Sequence, residues 1–346
     1  MLWTLINDID SLYGTAGSIC LLLACAAGFG GTVFALKKAL LTLPKDQGRK
    51  HAINGELSKG KPRGGGVVFV IVFIAVSLLF LRVNAELAIN YALVAAAMLT
   101  GYLDDSSKIP WGELKKGLLD LVICIIAVVT YCNFDGNYTL YFFDGAFIEL
   151  PPVLYMLIAV FFLWVSINVT NCTDGVDGLL GTLSVITLFT LSRMIQDPAY
   201  SNVCLVFVAV LLGYLIFNAP PSVLLMGDAG SRAIGLFIGI AVLKTHIPLI
   251  YFLIGGVIFA DGGIGLVKLL VIRIFKKKDF LKNIRTPLHD HFRKNKGWSD
   301  SQVDFRFAAL HLVLCIIGTE ISNIIFTGLS ITDSNEFYRL FSLLYY

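Results

Sequence analysis

Charge is what this chain has least of. Of 346 residues only 15% are Asp, Glu, Lys or Arg, whereas 57% are hydrophobic. A soluble globular domain carries nearer a quarter charged residues, so that class is disfavoured from the outset. Cysteine pairing is also missing. The seven cysteines at 20, 25, 124, 132, 172, 204 and 315 form no Cys-x-x-Cys pair and are odd in number, which argues against a disulfide framework or a zinc site. The start lacks a basic stretch and carries Asp8 and Asp10, unlike a cleavable signal peptide. Lysine and arginine are absent from 133–150.

Long apolar runs fill the space that charge leaves. They predict an all-α, polytopic integral membrane protein, with about ten transmembrane helices near 15–36, 65–82, 86–103, 117–132, 151–170, 179–195, 202–218, 231–247, 249–272 and 304–326. No repeat or linker divides them, so residues 1–346 read as one transmembrane catalytic domain. Twenty of the twenty-seven basic residues lie in 37–63, 104–116 and 273–296. The positive-inside rule assigns these loops to the cytoplasm, and an even helix count then sets both termini outside.

Five polar clusters fall on that basic side. Asp104-Asp105-Ser106-Ser107-Lys108 closes the third predicted helix. Adjacent carboxylates near a membrane need a cation or a proton, so a metal or general-base site competes with a solvated helix end. Asn168 and Asn171-Cys172-Thr173-Asp174-Gly175-Val176-Asp177-Gly178 lie where the fifth ends and the sixth begins, with a plain turn as the alternative. Asp174 and Asp177 share a face in a helical turn, and the absence of a terminal bidentate glutamate argues against an EF-hand. Asn218 and Met226-Gly227-Asp228-Ala229-Gly230-Ser231 precede the eighth, where backbone N–H groups suit phosphate and Asp228 a cation, or simply a helix cap. Pro287-Leu288-His289-Asp290-His291-Phe292, between Arg285 and Arg293, suits a phosphate and sugar clamp. Lys59-Gly60-Lys61-Pro62-Arg63-Gly64-Gly65-Gly66 is a weak phosphate-loop signal, and loop charge alone explains it equally well. Carboxylates from three loops beside two basic loops suit Mg²⁺ bridging a diphosphate.

These motifs together resemble the polyprenyl-phosphate N-acetylhexosamine-1-phosphate transferase superfamily along nearly the whole chain. The Pro-Leu-His-Asp-His-Phe run with Gly297-Trp298 is most similar to the phospho-N-acetylmuramoyl-pentapeptide transferase branch. Three positions depart from the family pattern. Asp290 stands where a middle histidine is usual, Leu225 where phenylalanine is usual, and Pro62-Arg63-Gly64-Gly65-Gly66 where Pro-Thr-Met-Gly-Gly is usual.

The resemblance implies transfer of phospho-MurNAc-pentapeptide from UDP-MurNAc-pentapeptide to undecaprenyl phosphate, giving lipid I and UMP in a bacterial plasma membrane. It implies Mg²⁺ held by Asp228 and Asp105, with Asp104, Lys108 and His289 also catalytic. Asn171, Asp174, Asp177 and Asn218 are expected at uridine and ribose, Arg285, His289 and His291 at the pyrophosphate and sugar, and Gly175, Leu225 and Lys61 elsewhere in the substrate-binding set. Membrane lipid is an expected partner, nucleic acid is not, and a homodimer is a candidate assembly. The alternatives are a transferase of this superfamily using another UDP-sugar and, in a different class, a transporter with ionisable residues at its midplane.

Overall fold

Apolar side chains recur on every face of the long segments, so the helices formed are ones that neighbouring helices and lipid can cover. In the computed structural model of the protein, residues 16–46, 58–107, 111–142, 146–277 and 279–333 are described. The helices are α1 (Ala16–Ala39), α2 (Gly65–Phe80), α3 (Ala85–Asp105), α4 (Glu113–Phe134), α5 (Pro152–Thr173), α6 (Leu179–Met194), α7 (Pro198–Asn218), α8 (Asp228–Leu243), α9 (Tyr251–Ile254), α10 (Ile264–Phe275), α11 (Leu288–Lys296) and α12 (Asp300–Asp333). Their starts follow local chemistry. Asn84 Oδ1 accepts from Leu87 N at 2.8 Å ahead of α3, and Asp197 Oδ1 accepts from Ala199 N at 2.8 Å ahead of α7, whose first residue is Pro198.

The all-α, multi-pass reading stands, and the count of about ten spans does not. Among the described residues six helices are long and apolar enough to cross a membrane: Gly17–Ala39, Ala85–Asp105, Glu113–Phe134, Pro152–Thr173, Pro198–Asn218 and Asp300–Phe326. A bent pair, Pro248–Ile254 with Gly256–Phe275, raises the number to seven if it is taken as one span. The runs near 65–82, 179–195 and 231–247 become helices of 16 residues. At about 1.5 Å per residue these fall short of a hydrocarbon core about 30 Å thick. Every residue of α8 is buried, so its apolar run answers to surrounding protein and not to lipid. Sequence hydropathy cannot separate those two solvents. The parity argument for both termini outside goes with the count, and 1–15 and 334–346 lie outside the described residues.

Helix α8 is the axis of the bundle, packing on α5, α3 and α2. Its core is aromatic: Phe73 stacks on Phe207 at 4.2 Å, and Phe237 meets both rings edge-on. Close approach is built in at two glycines. A Cβ on Gly66 would lie 2.1 Å from Gly230 N, and one on Gly101 would lie 2.4 Å from Asp228 C, so α2 and α3 touch the backbone at the start of α8. One end of the bundle carries a two-stranded antiparallel sheet, β1 (Thr139–Tyr141) and β2 (Phe147–Glu149), which the helical reading did not include. At that end buried Lys244 pairs with Asp135 at 2.7 Å and Glu86 at 3.3 Å. The other end gathers the polar loops.

Candidate active site

The three carboxylates expected to act together do converge. Asp104 and Asp105 end α3, and Asp228 begins α8. Asp228 N donates to Asp105 Oδ2 at 2.7 Å, so the helix start is itself held by the second aspartate. Two cations lie between the acids. Arg63 Nη2 is 2.7 Å from Asp105 Oδ1 and 3.4 Å from Asp228 Oδ1, and its Nη1 is 3.1 Å from Asp46 Oδ1. Lys116, one turn into α4, pairs with Asp104 Oδ2 and lies 3.5 Å from Asp228 Oδ2. Burial pulls the Arg63 pKa down, but Asp105, Asp228 and Asp46 outweigh it and raise it, so the guanidinium stays charged. Asp104 Oδ1 also accepts from Trp111 N at 2.8 Å. Behind Lys116 on the same helix face, buried Asp120 pairs with Arg232 of α8.

The Asn-Asp-Gly loop, the Asn218 region and the 61–66 loop form the adjoining wall. Lys61 Nζ reaches Asp177 Oδ2 at 3.3 Å and Ser222 Oγ at 3.1 Å, and Ser222 N donates to the same carboxylate oxygen at 2.9 Å. Asn218 Oδ1 accepts from Gly178 N at 2.9 Å while its Nδ2 donates to Leu224 O at 2.8 Å, which ties the two loops together. Asn171 Nδ2 donates to Ser231 Oγ at 3.1 Å. Leu225 joins the 61–66 loop through its backbone: it donates to Pro62 O at 2.9 Å and accepts from Gly65 N at 3.0 Å. The Asp174 backbone N donates to Thr170 O at 3.2 Å as α5 ends.

His289 closes this wall from α11. Its Nδ1 is 2.8 Å from Asp261 Oδ2, its backbone N donates to Asp261 Oδ1 at 2.7 Å, and its Nε2 side faces Gly175. Burial lowers the His289 pKa, but Asp261, with a smaller contribution from Asp290, outweighs it and raises the ring above its ordinary value. Arg285 and His291 sit further out: Arg285 is exposed, and its backbone N meets His291 Nδ1 at 3.4 Å. Lys108 lies outside the described residues. The ring of Phe292 stacks on Trp298 at 4.3 Å and meets Phe307 edge-on. Sequence reasoning did not single out Lys116 or Asp261. Lys116 read as one more loop cation, although its four-residue spacing to Asp120 on a helix face was a usable signal. Asp261, a carboxylate inside an apolar run, was the clearer signal.

A family model for "Glycosyl transferase family 4" matches residues 87–246, which takes in the two aspartates of α3, the Asn-Asp-Gly loop and the start of α8. The phospho-N-acetylmuramoyl-pentapeptide transferase of Treponema pallidum subsp. pallidum is 37% identical, over 85% of this chain and 87% of its own length. The chain belongs to the phospho-N-acetylmuramoyl-pentapeptide transferase family. Enzymes of the same description from Clostridium acetobutylicum and Rickettsia canadensis are 30% and 27% identical, over 75% and 82% of the chain. This family assignment makes the protein a multi-pass membrane transferase.

The implied Mg²⁺ has a fitting donor set here. Among the described residues no cluster of three His, Cys, Asp or Glu groups could hold a metal unaided. Mg²⁺ does not require one, because it commonly takes one or two carboxylates and completes its shell with water and substrate phosphates. Asp105 and Asp228, joined through one backbone N–H and sharing Arg63, provide such a pair of hard oxygen donors.

Proposed function

We propose that this protein catalyses transfer of phospho-MurNAc-pentapeptide from UDP-MurNAc-pentapeptide to undecaprenyl phosphate, giving lipid I and UMP, on the cytoplasmic face of a bacterial plasma membrane. A lipid phosphate oxygen attacks the phosphorus that carries the sugar. The bond from that phosphorus to the UMP oxygen breaks, so one phosphoanhydride is exchanged for another. The observation that carries the reading is the convergence of Asp104, Asp105 and Asp228 beside the Asn-Asp-Gly loop, in a chain of this family.

Asp228 and Asp105 would hold Mg²⁺, which when bound neutralises diphosphate charge and fixes its geometry. Asp104, oriented by Lys116 and by Trp111 N, would stand at the incoming lipid phosphate. That phosphate has a second pKa of about 6, so it is mostly ionised at neutral pH and demands little of a base. Asn171, Asp174, Gly175, Asp177, Asn218 and Leu225 would form the uridine and ribose wall. Lys61, His289, His291 and Arg285 would serve the pyrophosphate and sugar, with Lys108 adding positive charge. The basic loops favour the cytoplasmic side for this end of the bundle.

Sugar identity is tested by competition. Purified protein with undecaprenyl phosphate should release UMP from UDP-MurNAc-pentapeptide, and excess UDP-N-acetylglucosamine should leave that rate unchanged. Preferential turnover of the smaller nucleotide would replace this reading with a transferase for another UDP-sugar.

A further inference from the structure

We infer that Asp261 is a positioning residue for His289: it fixes the ring so that Nδ1 carries a proton and Nε2 faces the substrate wall at Gly175. This deepens the transferase reading and rests on His289 acting at the pyrophosphate.

The arrangement starts in the backbone. The bent pair between α8 and α11 turns by 71°, and a single π turn at Phe259–Gly263 lies just beyond the bend. That turn carries Asp261, which is fully buried. A carboxylate in such a place needs compensation. Both its oxygens are used by one residue: Oδ1 accepts the His289 backbone N–H at 2.7 Å, and Oδ2 lies 2.8 Å from Nδ1. One contact fixes the start of α11 and the other fixes the ring. A carboxylate oxygen can only accept, so Nδ1 must be the donor. The free nitrogen is Nε2.

The other side of the ring explains a glycine. A Cβ on Gly175 would lie 2.3 Å from His289 Nε2. Gly175 belongs to the Asn-Asp-Gly loop, between Asp174 and Asp177. Nε2 is therefore delivered to the loop expected to hold the nucleotide, and no side chain intervenes at Gly175. The charged groups acting on the ring are Asp261 from the turn and Asp290 and Arg293 from its own helix. Asp290 Oδ1 is 3.8 Å from Nε2 and is shared with Arg293 at 3.6 Å, so Asp261 is the nearer and less divided carboxylate. The pair resembles in its logic the carboxylate–imidazole pairs that orient rings at other sites, where the partner sets tautomer and basicity.

The test is a double-mutant cycle read as a pH profile of kcat/KM for UMP release. Asp261→Asn keeps the size and one acceptor for the backbone N–H but removes the charge. It should lower kcat by about tenfold or more, in the range of lost orienting partners. Its alkaline limb should move to lower pH by about one unit, because the imidazolium loses the carboxylate that held its proton. The double variant Asp261→Asn/His289→Gln should be no slower than His289→Gln alone. Additive losses, superimposable profiles, or a His289→Gln enzyme as fast as wild type would each overturn the proposal. A wild type that releases no UMP from UDP-MurNAc-pentapeptide would instead sink the transferase reading. A second measurement stands apart from turnover and from the folding of the Asn variant. In ¹⁵N-histidine-labelled wild type, the resonances assigned to His289 by their loss in His289→Gln should show a protonated Nδ1 at every pH where the protein is folded. A neutral ring protonated only at Nε2 would overturn the assignment.

Discussion

Asp228 meets three site residues from three other segments of the chain. Its backbone N–H binds Asp105, and its carboxylate faces Arg63 and Lys116. Asp228→Asn should abolish most UMP release while the protein still extracts and unfolds like wild type, and activity within about threefold, or about 0.7 kcal/mol, would remove it from the metal site. Arg63 should act in the opposite sense on the cation. Its guanidinium occupies the same two carboxylates, so Arg63→Thr should tighten Mn²⁺ binding, read by electron paramagnetic resonance, by about fivefold, near the upper end for a partly exposed ion pair. Unchanged or weaker Mn²⁺ binding would show that Arg63 does not compete. The aspartates, Asn171, Asn218 and the first histidine could be singled out in the sequence as motif residues, and the fold brings the aspartates of α3 and α8 together. Arg63 and Lys116 were not legible as partners, because basic loops occur in any membrane protein of this orientation. Only the fold shows that these two cations meet the acids.

Elements carry the precision of the site. Helices α2, α3 and α8 meet at backbone distance through Gly66 and Gly101, and this is how residues 46, 63, 105 and 228 come within reach of one another. Gly66→Ala would place a methyl group against Gly230 backbone, which cannot step aside. It should cost about 1–3 kcal/mol or more of stability, together with activity. Gly112→Ala, with nothing within 4 Å, is the control and should cost no more than the helix-cap preference, about 0.5–1 kcal/mol. Equal thermal unfolding of the two variants would refute the close-approach argument. The helix count is where sequence reading failed at this scale. An apolar run does not say whether lipid or protein covers it, and α8 is buried in protein along its whole length. The bend that delivers Asp261 was visible only as glycines at 255, 256, 262 and 263 interrupting an apolar run, a pattern that marks irregular backbone without saying what it presents.

At the scale of the molecule, the polar loops gather at one end and the paired strands lie at the other. If the basic loops are cytoplasmic, a cysteine replacing exposed Lys277 should react with a membrane-impermeant maleimide only after inverted vesicles are made. One replacing exposed Phe147 should react in intact cells. The reverse pattern would move the site to the other face and separate it from a cytoplasmic nucleotide. In the proposed reaction this end joins a soluble nucleotide sugar to a lipid phosphate, and one measurement addresses that directly. Purified, detergent-solubilised protein is given UDP-MurNAc-pentapeptide, with undecaprenyl phosphate and Mg²⁺ each present or omitted, and UMP and the lipid product are quantified together. Equimolar UMP and lipid-linked sugar should appear only when both are supplied. UMP release that needs no lipid acceptor, or that survives exhaustive chelation at full rate, would contradict it.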